Sequence, residues 1–145
     1  MNGSICQSEV KVDIVIPTHT RYLSLVGAIG EEVAREIFPY NGDREALGYN
    51  LNLVLTEAMA NAIKHGSKHR RKNAIKVSIH LQDNELCIRV EDKGEGFDLT
   101  KVPAPDLDNP SDSGLGLFFI KNLMDTVQYY RAKSGNILEM RKRFR

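Results

Sequence analysis

The spacing of apolar positions changes several times along the chain, and each change predicts an element. Val10, Val12, Ile14 and Ile16 alternate with Lys11, Asp13 and Val15 ahead of Pro17, the period of a half-buried strand halted by proline. Thr18 and Thr20 can cap the next element. Leu23, Val26, Ile29, Val33 and Ile37 then recur at helical spacing, predicting an amphipathic helix that ends near Phe38-Pro39, with Gly27 and Gly30 as weak points inside it. After a short turn holding Asn41-Gly42-Asp43, in which Asp43 is placed to cap, Leu47, Leu51, Val54, Leu55, Ala58 and Ala62 mark a second helix that stops at Gly66. A basic loop from Ser67 to Asn73 comes next. Ile75, Val77, Ile79 and Leu81, then Leu86, Ile88 and Val90, alternate with polar residues on either side of Asp83-Asn84, so a hairpin with one buried face is expected. His80 falls on its polar side and reads as a surface residue. From Asp98 to Ser113 there is no period and there are three prolines, the pattern of a long loop that is a lid, a binding loop or disordered. Gly114-Leu115-Gly116-Leu117 opens a helix, Leu117 to Met124. Strands near Val127 to Arg131 and Ile137 to Phe144, joined at Ser134-Gly135, close the chain.

Composition narrows the class without naming a chemistry. A chain of 145 residues with 41% apolar and 27% charged residues suits one globular domain with an ordinary core, and no apolar run approaches the roughly 20 residues of a membrane-spanning helix. The formal charge of +1 gives no field to attract nucleic acid, and the basic runs His69 to Lys72 and Arg141 to Arg143 read as solvated surface. Cys6 and Cys87 have no metal-ligand or disulfide spacing. With no signal-like start in MNGSICQSEV, a cytoplasmic setting is the expectation.

Three segments carry candidate chemistry. Glu57 and Asn61 lie four apart, so on a helix a carboxylate and a carboxamide project side by side, with His65 one turn further on. Asp92 stands at a strand's end and enters a turn with Gly94 and Gly96, where glycine lets a backbone approach a ligand and the carboxylate accepts a hydrogen bond from it. Gly114, Leu115, Gly116 and Leu117 begin a helix whose free N–H groups suit phosphate. Each alone has a plain reading as solvated stripe, surface turn or helix start.

Together, in this order, they resemble the ATP-binding domain of the GHKL superfamily: Glu57-x-x-x-Asn61 its N box, Asp92-x-Gly94-x-Gly96 its first glycine box, Gly114-Leu115-Gly116-Leu117 its second. The phrases EAMANAIKHG, EDKGEGFD and GLGLFFIKNLMD are similar to those of the small bacterial anti-sigma-factor serine kinases of the RsbW and SpoIIAB type. The resemblance implies one domain over residues 1–145 with a two-layer α/β (α+β) sandwich of Bergerat type, a mixed and mostly antiparallel sheet with helices on one face. It implies ATP and Mg²⁺ as cofactors, with Glu57 as general base, Asn61 holding the metal, Asp92 accepting from the adenine amino group beside Gly94 and Gly96, and Gly114 to Leu117 holding phosphate. It further implies a sigma factor and an anti-anti-sigma (STAS-type) protein as partners, and a homodimer formed through the first strand and helix; from charge and apolar run length, neither direct nucleic-acid binding nor a membrane is expected. Three positions depart from the family pattern: Ala60 where a threonine often precedes the asparagine, Ser111-Asp112-Ser113 where the lid often carries a basic residue, and a last strand, from Asn136 to Glu139, with no threonine in register to support adenine. The alternatives are a nucleotide-dependent regulatory module without kinase activity, and a plain interaction domain whose glycines are only turns.

Overall fold

A computed structural model describes residues 9–37, 40–65, 74–94, 115–133 and 135–144. The first strand, β1 (Glu9–Pro17), leads through a 3-10 turn at Thr20–Tyr22 into α1 (Leu23–Ala34), α2 (Arg44–His65), β2 (Ala74–Gln82), β3 (Glu85–Asp92), α3 (Leu115–Leu123), β4 (Thr126–Ala132) and β5 (Gly135–Arg143). The strands form one sheet in the order β1-β2-β3-β5-β4.

All four pairings are antiparallel, so among the described residues the expected mixed sheet is purely antiparallel. The reason lies in where β5 inserts. Strands β3 and β4 run parallel, as a strand-helix-strand unit through α3 requires, but β5 lies between them and runs opposite to both. No parallel neighbours are left.

Side-chain alternation gives the sheet two unlike faces. Val12, Ile79, Ile88, Met140 and Val127 stand in one cross-strand row, and Ile14, Val77, Val90, Leu138 and Tyr129 in the next. These rows join Val26, Val33, Leu51, Val54, Leu55, Ala58, Met59 and Ile120 of the helices in one core. Lys11, Asp13, Arg89 and Arg141 point the other way and are exposed. The hairpin closes at Asp83 and Asn84, with φ of 53° and 58°, the left-handed pair that a two-residue turn demands.

Two helix starts differ in how well the sequence foretold them. Asp43 caps α2, its Oδ1 accepting from the N–H groups of Glu45 at 3.0 Å and Ala46 at 3.2 Å. At the other, neither Thr18 nor Thr20 is the cap: His19 Nδ1 accepts from the Arg21 N–H at 3.0 Å, because a 3-10 turn precedes α1 and moves the capping position. Helix α1 also ends at Ala34, short of Phe38-Pro39, which lie outside the described residues. Gly27 and Gly30 lie where it approaches α2 closely. A Cβ at Gly30 would stand 2.5 Å from Leu55 Cδ1 and 3.0 Å from the Leu51 carbonyl oxygen, and one at Gly27 would stand 2.5 Å from Asn52 Oδ1. Glycine therefore sets how closely the two helices approach.

Candidate functional site

Helix α2 positions the first pair of side chains. Leu51, Val54, Leu55, Ala58 and Ala62 are buried, while Glu57 and Asn61 are half-buried, so the apolar stripe turns both toward the helix's flank. The His65 side chain lies outside the described residues.

Helix α3 completes that end of the site. Ile120 and Met124 anchor it in the core, and its first turn brings Gly116 against Glu57. A Cβ built on Gly116 would collide with Glu57 Oε2 and would stand 3.3 Å from its Cδ, so the approach requires glycine. The carboxylate thus lies beside the positive end of the α3 dipole, where unpaired N–H groups gather. Leu117 is 5% exposed and belongs to the core. Its side chain holds the helix in place, which leaves only its backbone for a ligand.

The second cluster forms where β3 ends. Asp92 is 5% exposed and Asn136 2%, and the two face each other across the β3–β5 pairing. Asp92 Oδ1 accepts from the Gly94 N–H at 2.8 Å and from Asn136 Nδ2 at 3.1 Å, and the same Nδ2 donates to the Gly94 carbonyl at 2.8 Å. Gly135, at φ +144°, makes room for this corner, because a Cβ there would run into the Asp92 carbonyl. Sequence reasoning missed Asn136. Only the register of β5 against β3 reveals that it, and no threonine, stands opposite Asp92.

The structure therefore brings Glu57 to Gly116, and Asp92 to Gly94 and Asn136. Gly96, Gly114 and the lid from Asp98 to Ser113 lie outside the described residues, as do the Leu115 side chain, Gly66 and the loop from Ser67 to Asn73. Among the described residues, no cluster of three or more His, Cys, Asp or Glu could hold a metal by itself. A metal held at Asn61 would draw its remaining ligands from phosphate and water, the usual preference of Mg²⁺. No helix among the described residues is long and apolar enough to cross a membrane.

Against known proteins, residues 16–142 match the family model described as the histidine kinase-like ATPase domain. The chain is 30% identical over 129 residues to the serine-protein kinase RsbW of Listeria innocua, covering 83% of this chain and 79% of that protein. With the RsbW of Bacillus velezensis it shares 27% over 139 residues, covering 90% and 84%. Among solved structures, the RsbU and RsbW domains of a Mycobacterium tuberculosis protein superpose with a TM-score of 0.65 at 18% identity, over 93% of this chain and 32% of that one. The histidine kinase domain of a blue-light activated kinase from Erythrobacter litoralis gives a TM-score of 0.53 at 18% identity, over 88% and 61%. These two superpositions concern the fold.

Proposed function

The chain belongs to the histidine kinase-like ATPase domain family, and from that membership and the geometry of its site we propose that it is an anti-sigma factor serine/threonine kinase using ATP and Mg²⁺. The observation that carries the reading is the Glu57 carboxylate seated at the N-terminal turn of α3, a base beside a phosphate-binding helix start. In this reading Glu57 takes the proton of a partner's serine or threonine hydroxyl as that oxygen attacks the γ-phosphorus and ADP leaves. Asn61 would hold Mg²⁺, which would supply charge neutralisation on the phosphates, and the backbone of Gly114 to Leu117 would bind them. Asp92 accepts from the adenine amino group, with Gly94 and Gly96 against the base. Phosphoryl transfer asks for positioning and electrostatics of this kind, with little covalent chemistry from the protein.

The relatives named serine-protein kinase RsbW support extending the reading to partners: a sigma factor that is sequestered, and a STAS-type anti-anti-sigma protein that is phosphorylated. A phosphate brings that protein nearly two negative charges, enough to break an apolar interface. A cytoplasmic single-domain protein acting as a homodimer fits the same reading.

Glu57→Ala tests it. The variant should lose transfer from labelled Mg-ATP to a purified STAS-type partner while Mg-ATP still raises its melting temperature, whereas Asn61→Ala should lose that rise. Undiminished transfer by Glu57→Ala would overturn the assignment of the base. A wild-type protein that binds Mg-ATP and transfers nothing would be a regulator working by occupancy.

A further inference from the structure

We infer that Asn136 is a positioning residue for the nucleotide base: it fixes the Asp92 carboxylate so that Oδ2 is offered to an exocyclic amino group, and so sets a preference for amino-bearing purines. The inference rests on the reading of Asp92 as the acceptor that meets the base.

The hydrogen bonds divide the labour between the two carboxylate oxygens. Oδ1 is taken by the protein, receiving the Gly94 N–H at 2.8 Å and Asn136 Nδ2 at 3.1 Å, while no described residue donates to Oδ2. A carboxylate accepts hydrogen bonds without donating any. The remaining oxygen therefore favours an N–H and opposes a carbonyl. Adenine offers an amino group at the position where hypoxanthine offers a carbonyl, so this oxygen meets a donor in one base and an acceptor in the other.

An amide suits the task better than a hydroxyl. Asn136 Nδ2 has two protons and spends one on Asp92 and one on the Gly94 carbonyl, 2.8 Å away. A serine or threonine hydroxyl has one proton and could serve only one of them. The Asp92-Lys93-Gly94 turn is thereby held at the Asp92 carboxylate and at the Gly94 carbonyl by a side chain from another strand. Gly135 brings that strand close enough, since its conformation at φ +144° and its contact with the Asp92 carbonyl exclude any Cβ.

The test is calorimetric titration of the wild type, Asn136→Ala and Asn136→Ser with ADP and with inosine diphosphate, with circular dichroism to confirm folding. The wild type should prefer ADP. Asn136→Ala should weaken ADP by about tenfold or more and change inosine diphosphate by no more than about twofold, and Asn136→Ser, which keeps one donor, should fall between. Should the alanine variant fail to fold, the serine variant carries the comparison, again by loss of ADP affinity alone. Equal weakening of both nucleotides, or an unchanged ratio, would show Asn136 to be a merely structural brace and overturn the inference. A wild type without preference for ADP would instead remove the reading of Asp92 as base acceptor, an outcome visible before any variant is made.

Discussion

Replacing Gly116 by alanine tests the closeness of α3 to Glu57 with a single methyl group. The new Cβ would overlap Glu57 Oε2 and stand 3.3 Å from its Cδ and 3.5 Å from its Cβ, so only the carboxylate tip is displaced, by roughly 1 Å to regain ordinary contact. That tip ends a flexible side chain. Its new rotamer costs on the order of 1 kcal/mol, while alanine in place of glycine within a helix returns about 1 kcal/mol. The melting temperature should therefore hardly change. Catalysis should respond strongly, because a reacting group misplaced by about 1 Å loses on the order of 100-fold in rate, equal to about 2.7 kcal/mol of barrier. The assay compares initial rates of phosphoryl transfer from Mg-ATP to a purified STAS-type partner at saturating nucleotide, beside thermal unfolding of both proteins. A variant with full transfer would refute Glu57 as a base poised at α3. A variant that unfolds many degrees lower would refute the claim that the contact can yield.

Two further changes probe the scaffold. Gly30→Ala should destabilise the protein by about 1–2 kcal/mol in denaturant unfolding, since the Leu51 carbonyl oxygen 3.0 Å from the new Cβ is backbone and overpacking outweighs the gain in helix propensity; a more stable variant would mean that α1 and α2 are not held at this distance. On the outer sheet face Glu139 is buried, and burial pushes its carboxyl up, but the hydrogen bond from Arg89 at 2.7 Å and the charges of Arg141 and Arg89 outweigh it and hold it below the ordinary glutamate value of 4.5. A depressed folded-state value means stability that is complete above the unfolded value and lost as pH falls through the folded one. Glu139→Gln should accordingly cost about 1 kcal/mol at pH 7, discounted because Arg89 is half-exposed, and the gap should close as pH falls through the lowered folded-state value; a gap independent of pH would show that charge is not its origin.

The features legible in the sequence are those set by local chemistry. The Asp43 cap, the α2 stripe and the Asp83-Asn84 turn each involve residues within a turn or two of one another, where period and side-chain type suffice. Glu57 and Asn61 were legible for the same reason, since a spacing of four on a helix fixes their relation. The His19 cap escaped because histidine is not a usual capping residue and a 3-10 turn shifts the position by one. Gly27 and Gly30 read as flaws in a helix because propensity is a property of the segment, whereas their value lies in an approach between two helices. Asn136 lies 44 residues from Asp92 and meets it only because β5 inserts between β3 and β4, a choice of strand order that no local period encodes. Motif residues that would touch a ligand recur in a recognisable order, but the residues that aim them need only be adjacent in the fold. The Asp92 corner is the case in point: the carboxylate and Gly94 belong to a motif, and the amide that donates to both of them is found by register alone.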